Sequence, residues 1–231
     1  MFSMIKMAFL FLIFAAPVLS QSSTRDEKIQ NIFDLRSRMT ALEKEVLQPD
    51  SRDVSVAKRL GLEAIRLLPR EKYDRVLAIN GGGAYYSFAQ KTHEYGQGSD
   101  IELQQGNLSV GFAGADYGFL IDLGDVNLLD VNKETPELSF LVAYSPPADE
   151  PAVRAEYRRL QASYDANGFS YKSHLQAIVG HTYALRSISI SRSDLLVAFT
   201  VLRRDTDGSL IMIWRPIETF SKPEMRREVV F

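Results

Sequence analysis

Hydrophobic positions follow three rhythms along this chain, and each predicts a different kind of element. Met7 to Leu19 is an apolar run broken only by Pro17 near its end. Such a run is shorter than the roughly twenty residues a membrane-spanning helix needs. It has the length of a secretory leader's hydrophobic region, preceded by Lys6 and followed by the small residue Ser20. The expectation is a signal peptide over 1–20, removed near Ser20, and an exported chain, periplasmic or secreted, with no stable membrane anchor after processing.

A helical rhythm comes next. Ile32, Leu35, Met39, Leu42 and Val46 are separated alternately by three and four positions, which predicts an amphipathic helix over about 26–47, behind a polar, capping-prone stretch from Ser22 to Asp26. Two heptads fall short of the three or four that mark a coiled coil, so packing against its own domain is expected, with self-association through helix 26–47 as the alternative. Pro49 stops this helix. Val54, Ala57, Leu60, Ala64 and Leu68 then predict a second one, ended by Pro69 and paired antiparallel with the first.

From Arg75 the period shortens to two and the residues become β-branched and aromatic. Strands are expected at 76–79 and 84–88, on either side of Asn80-Gly81-Gly82-Gly83. A meander follows through Ile101/Leu103, Leu108/Val110/Phe112 and Phe119/Ile121/Leu123, with turns at 105–107 and 113–116. Leu138 to Tyr144 is apolar at nearly every position and predicts a central strand. Asp149-Glu150-Pro151 opens a helix over about 150–166, with Val153, Tyr157, Leu160 and Tyr164 inward and Asn167-Gly168 as its stop. Three long strands, 182–190, 195–203 and 210–217, end the pattern, the last two joined by Asp205-Thr206-Asp207-Gly208. With neither an internal repeat nor a low-complexity linker, residues 21–231 read as one α+β domain: a helical pair over 21–70, then a predominantly antiparallel, strongly twisted or partly closed sheet interrupted by one helix.

Composition narrows the chemistry. The chain has no cysteine, which removes disulfides, thiolate nucleophiles and a lipid-bearing cysteine together. Lys plus Arg number 27 against 29 Asp plus Glu, a weak and dispersed charge that gives nucleic acid no electrostatic footing. The glycine run lacks the Gly-Lys-Ser/Thr ending of a phosphate loop and has Tyr86 where a dinucleotide fingerprint wants its third glycine; a tight turn with positive φ is expected instead. His93, His174 and His181 show none of the close spacings from which zinc sites start, so no metal is expected, and no cofactor motif is present. Asp116, Asp122, Asp125 and Asp130, with Asn127 and Asn132, offer hard oxygen ligands without the intervals of a calcium loop; solvated turns account for them. Ser109 lacks the first glycine of a nucleophile elbow, and Asn107-Leu108-Ser109 is a formal glycosylation sequon.

What remains is a recognition surface. His93 lies in a polar loop, Lys91 to Gly98, that reads as exposed, and Tyr85, Tyr86 and Tyr95 surround it in sequence; with Asp116 these are the candidate binding residues. The functional expectation is a non-catalytic binding or interaction domain of the bacterial envelope, with an unidentified protein or small molecule as partner. The alternatives are a small exported hydrolase using histidine and carboxylates, and a small-molecule-binding barrel walled by Tyr183, Phe199 and Trp214.

Overall fold

The computed structural model describes residues 24–96, 98–112 and 116–225. The leader read over residues 1–20 lies outside them, as does most of the turn at 113–116. No helix of the described residues is long and apolar enough to cross a membrane. The chain divides into two compact units between Arg38 and Met39.

The first unit contributes the opening turns of helix α1 (Arg25–Leu47). Thr24 and Glu27 cap it reciprocally: the Thr24 amide donates to Glu27 Oε2 at 2.7 Å and the Glu27 amide to Thr24 Oγ1 at 3.3 Å. Two otherwise unpaired donors are satisfied in this way. Ile32 and Leu35 are exposed.

The second unit begins with the last turns of α1, where Met39, Leu42 and Val46 are also exposed and do not form the expected packing face. Glu43, one turn on from Met39, is buried and accepts from the amides of Ala78 and Ile79. Helix α2 (Ser51–Arg59) is shorter than its sequence pattern suggested. Gly61 turns the chain at φ +70°, and strand β1 (Glu63–Leu67) takes the place of the helix's second half, so the second helix ends at Arg59 rather than at Pro69. The reason is visible in burial: Ile65 and Leu67 go into the core while Ala64 and Arg66 alternate with them, a period of two inside what looked like a period of 3.6.

Helix α3 (Arg70–Tyr73) and turns replace the strand expected at 76–79, and Val76 is 71% exposed. The glycine run is a tight turn, with φ of +82°, +60° and +76° at Gly81, Gly82 and Gly83. β-carbons there would overlap the Tyr85 ring, the Tyr73–Asp74 backbone and the Leu47 side chain respectively. Strands β2 (Tyr85–Tyr86), β3 (Ile101–Gln104) and β4 (Asn107–Ser109) follow as a meander. Strand β5 (Asp116–Gly124) leaves that meander for a different sheet, a correction to the sequence reading.

Two further corrections concern helices. Leu138–Tyr144 is not a strand: a 3-10 turn (Pro136–Leu138) runs into α4 (Ser139–Ala143). Helix α5 (Glu150–Leu160), N-capped by Asp149, stops before Tyr164, and Asn167-Gly168 turns a hairpin between β6 (Tyr164–Ala166) and β7 (Phe169–Tyr171). Strand β8 (His174–Gln176) pairs with β4. The last three strands, β9 (Thr182–Ser189), β10 (Ser193–Arg204) and β11 (Leu210–Thr219), stand as read from the sequence.

All strand pairings are antiparallel among the described residues, and the class is α+β. The central sheet has the order β1-β11-β10-β9-β5, and both faces are covered. One face, with Ile65, Leu67, Tyr183, Phe199 and Trp214, packs on residues of the smaller sheet β2-β3-β4-β8. The other packs Ala57, Leu138, Leu141, Val153, Leu160 and Tyr171 against Phe119, Ala184 and Leu196. Tyr183, Phe199 and Trp214 therefore belong to a filled core rather than to a hollow barrel wall, and β1 and β5 stay at opposite ends of the central sheet.

Candidate functional site

The segment from Tyr85 to Tyr95 separates two clefts. It leaves β2, folds back through a bridge between Ser87 and Thr92, and is closed by the Ser87 amide donating to the Thr92 carbonyl at 2.8 Å. Asp100 anchors this turn from beneath. Its Oδ2 accepts the Phe88 amide at 2.7 Å, and its Oδ1 accepts the Ser187 hydroxyl at 2.6 Å. Burial pushes the Asp100 carboxyl up to about 6, against the opposing pull of those donors.

Tyr86 is the junction between the clefts. Its ring meets His93 edge-on at 4.9 Å, Phe88 at 5.3 Å and Trp214 at 6.4 Å. Burial raises its hydroxyl pKa, so it stays a neutral phenol. On one side lies a cleft of about 590 Å³ lined by Leu47, Pro49, Ala64, Ile65, Tyr86 and His93 among others. His93 is half-buried, not the surface side chain its polar loop suggested, and its Nε2 lies 2.7 Å from the Arg66 carbonyl. Because a carbonyl only accepts, Nε2 carries the proton. Burial lowers the His93 pKa, partly offset by that bond.

On the other side is a cleft of about 570 Å³ with Phe88, Leu195, Val197 and Trp214 in its lining. Trp214 is 3% exposed, and its indole Nε1 has no hydrogen-bond partner among the described residues. The Phe88 ring lies beside it, tilted by 59°, with centroids 4.8 Å apart. Lys91, which lines both clefts, is paired with Glu63 at 2.6 Å.

The candidate residues divide accordingly. Tyr86 and His93 meet at a cleft. Tyr85 and Tyr95 meet each other at 4.5 Å in a neighbouring cluster, where Tyr85 donates to buried Glu102 at 2.7 Å and Arg70 donates to the same oxygen at 2.9 Å. That cluster is satisfied internally and has the character of a structural clasp. Asp116 stands apart at the start of β5, accepting from Ser189 Oγ at 3.1 Å, its pKa raised by burial. Asn127 caps a 3-10 turn through Leu129 and Asn132 accepts from the Glu134 amide at 2.9 Å, so these two side chains serve turns. Among the described residues no group of three or more His, Asp or Glu side chains is arranged to hold a metal.

Sequence reasoning missed two features. His181 Nδ1 lies 3.0 Å from both oxygens of Asp122, a pair 59 positions apart that only the β5–β9 pairing brings together. Asp122 Oδ1 also accepts the Gly124 amide at 2.8 Å, which fixes the carboxylate against the turn. No hydroxyl is hydrogen-bonded to His181 among the described residues, so the pair orients an imidazole without presenting a nucleophile. The orphan donor of Trp214 was the second feature, and an alternating strand pattern carries no signal for it. Compared with known proteins, the chain matches no family model, and no curated protein or solved structure shows significant similarity to it.

Proposed function

We propose that this chain is an exported, non-catalytic binding domain of the bacterial envelope, and that it takes a small molecule with an apolar body and a hydrogen-bond acceptor in the cleft beside Trp214. The observation that carries this reading is Trp214, which lines a cleft together with other aromatic and aliphatic side chains and whose buried indole N–H has no partner among the described residues. Leaving such a donor unpaired costs about 1–3 kcal/mol, and an acceptor supplied by a ligand removes that cost. A volume of about 570 Å³ is within the range of small-molecule sites. Export rests on the apolar leader and the absence of cysteine.

Calorimetric titration with decanoate tests the site. The expected result is saturable one-to-one binding that Ala89→Phe, a change at an exposed residue on the cleft's lining, abolishes without lowering the melting temperature. Binding that ignores this substitution, or none at all, removes the site. The mature N-terminus of protein recovered from a bacterial periplasm tests export; Gln21 is the expected first residue.

The exposed stripe on α1 supports a second reading, association with another copy of the chain. The helix has five basic and five acidic residues, so it carries no net positive charge to draw it to anionic lipid, while the three-and-four spacing suits a helical partner. Light scattering of wild type and Leu42→Glu separates the outcomes: a dimer that becomes a monomer supports it, and two monomers dismiss it.

A further inference from the structure

Strand β1 ends the central sheet, and its outer edge opens on the cleft that contains His93. The direction of its backbone groups follows from three bonds that leave the sheet. The Leu62 amide donates to the Ala57 carbonyl, the Leu68 amide to the Gly83 carbonyl, and the Arg66 carbonyl receives His93 Nε2. All three fall on even-numbered residues. In an antiparallel pair, successive residues alternate between bonding the neighbouring strand and facing away. Glu63, Ile65 and Leu67 therefore bond to Trp214, Met212 and Leu210 of β11, in the register observed, while Ala64 and Arg66 turn their amides and carbonyls away from β11, Ala64 into the cleft.

Of those four outward groups, only the Arg66 carbonyl has a partner among the described residues. The sheet's other edge is different. On β5, Leu120 exchanges both backbone bonds with Lys172, at 2.7 and 2.9 Å. The β1 edge thus retains a main-chain donor and acceptor on Ala64, side by side in a cleft whose walls include Leu47, Pro49 and Tyr86.

We propose that this edge is a docking slot for an extended segment of another polypeptide, which adds to the central sheet as a sixth strand beside β1. The chemistry that complements an amide and a carbonyl on one edge residue is another main chain, and apolar walls on either side accept its alternate side chains. His93 then acts as a placeholder. Its ring N–H stands on Arg66 where an incoming amide would bond, keeping the edge from pairing indiscriminately until a segment displaces it. The cleft's charges balance, with Lys44 and Lys91 against Glu43 and Glu94, so recognition depends on the main chain and on apolar fit rather than on peptide charge.

The test uses the full chain and a phage-displayed library of random heptapeptides, panned on wild type with Ala64→Pro as the counter-target. Proline removes the one outward amide at Ala64 and is tolerated at strand edges whose N–H faces away from the sheet. The expected result is enrichment of peptides on wild type only, with the two proteins melting at the same temperature. One enriched peptide is then synthesised with single N-methyl groups along its backbone and bound to wild type, which needs no variant to fold. At least one N-methyl position should weaken binding tenfold or more. Failure to enrich any peptide over the counter-target, or equal binding by every N-methylated form, overturns the slot.

Discussion

Arg186 of β9 and Asp194 of β10 join diagonally across the strand pair in a two-pronged ion pair, Nε to Oδ1 at 2.9 Å and Nη2 to Oδ2 at 2.8 Å, with both side chains 1% exposed. The remaining guanidinium nitrogen donates to the Leu141 and Tyr144 carbonyls, and the Phe220 ring lies 3.7 Å from the guanidinium carbon. This one side chain therefore ties α4, and Phe220 just beyond β11, to β9 and β10.

Arg186→Met should strand the Asp194 carboxylate in the core and cost about 3–5 kcal/mol in urea unfolding. Combining it with Asp194→Leu should restore most of that stability, because no buried charge then lacks a partner. If the double variant is as unstable as the single one, the pair's packing, and not its charge balance, is what matters.

Two glycines with positive φ should respond differently to alanine. At Gly61, φ +70°, a β-carbon meets nothing within 4 Å, so only backbone strain of about 1 kcal/mol is expected. At Gly82, φ +60°, it would overlap the backbone of Tyr73 and Asp74, which cannot yield as a side chain does. Overpacking then adds about 1–3 kcal/mol to the strain. Equal losses in the two variants would show that the glycine turn is looser than the close approach implies.

Asp100 gives stability an unusual pH dependence. Its carboxyl is held up to about 6 in the folded protein against 3.8 ordinarily, so between those values the folded chain keeps a proton that the unfolded chain has released. Acidification from pH 7 through 6 should therefore stabilise the fold at this residue, with the gain complete near pH 4. His93, whose pKa is lowered, acts in the opposite sense as pH falls below 6.5. The difference in unfolding free energy between wild type and Asp100→Asn isolates the effect: it should grow in favour of wild type as pH falls, and a flat difference would refute the assignment.

Much of the β-sheet was legible because β9, β10 and β11 are long, alternate cleanly and are joined by strong turn residues. The misread segments share a physical cause, since short apolar runs satisfy more than one period. Ala64 and Leu68 continue the helical spacing of Ala57 and Leu60, yet Gly61 ends the helix and Glu63–Leu67 alternates. Leu138 to Tyr144 is apolar at nearly every position and so carries no clear period; Pro136 starts a 3-10 turn that feeds α4. Asn167-Gly168 suits a helix stop and a hairpin turn equally, and φ values of +54° and +83° serve the hairpin here. At the candidate site, Tyr86 and His93 could be picked out because both lie in one short segment. Trp214, 128 positions beyond Tyr86 by their residue numbers, joins them only through the β1–β11 pairing and the packing of the two sheets.

The most direct measurement uses the chain's single tryptophan, Trp214, as its own reporter. Fluorescence emission is recorded while decanoate, and then neutral decane-1,2-diol, is titrated into the folded protein. A saturable shift of the emission maximum, absent in Ala89→Phe, is the result expected of a cleft that supplies the indole with its missing acceptor. Emission that stays unchanged at saturating amphiphile contradicts a ligand site at Trp214.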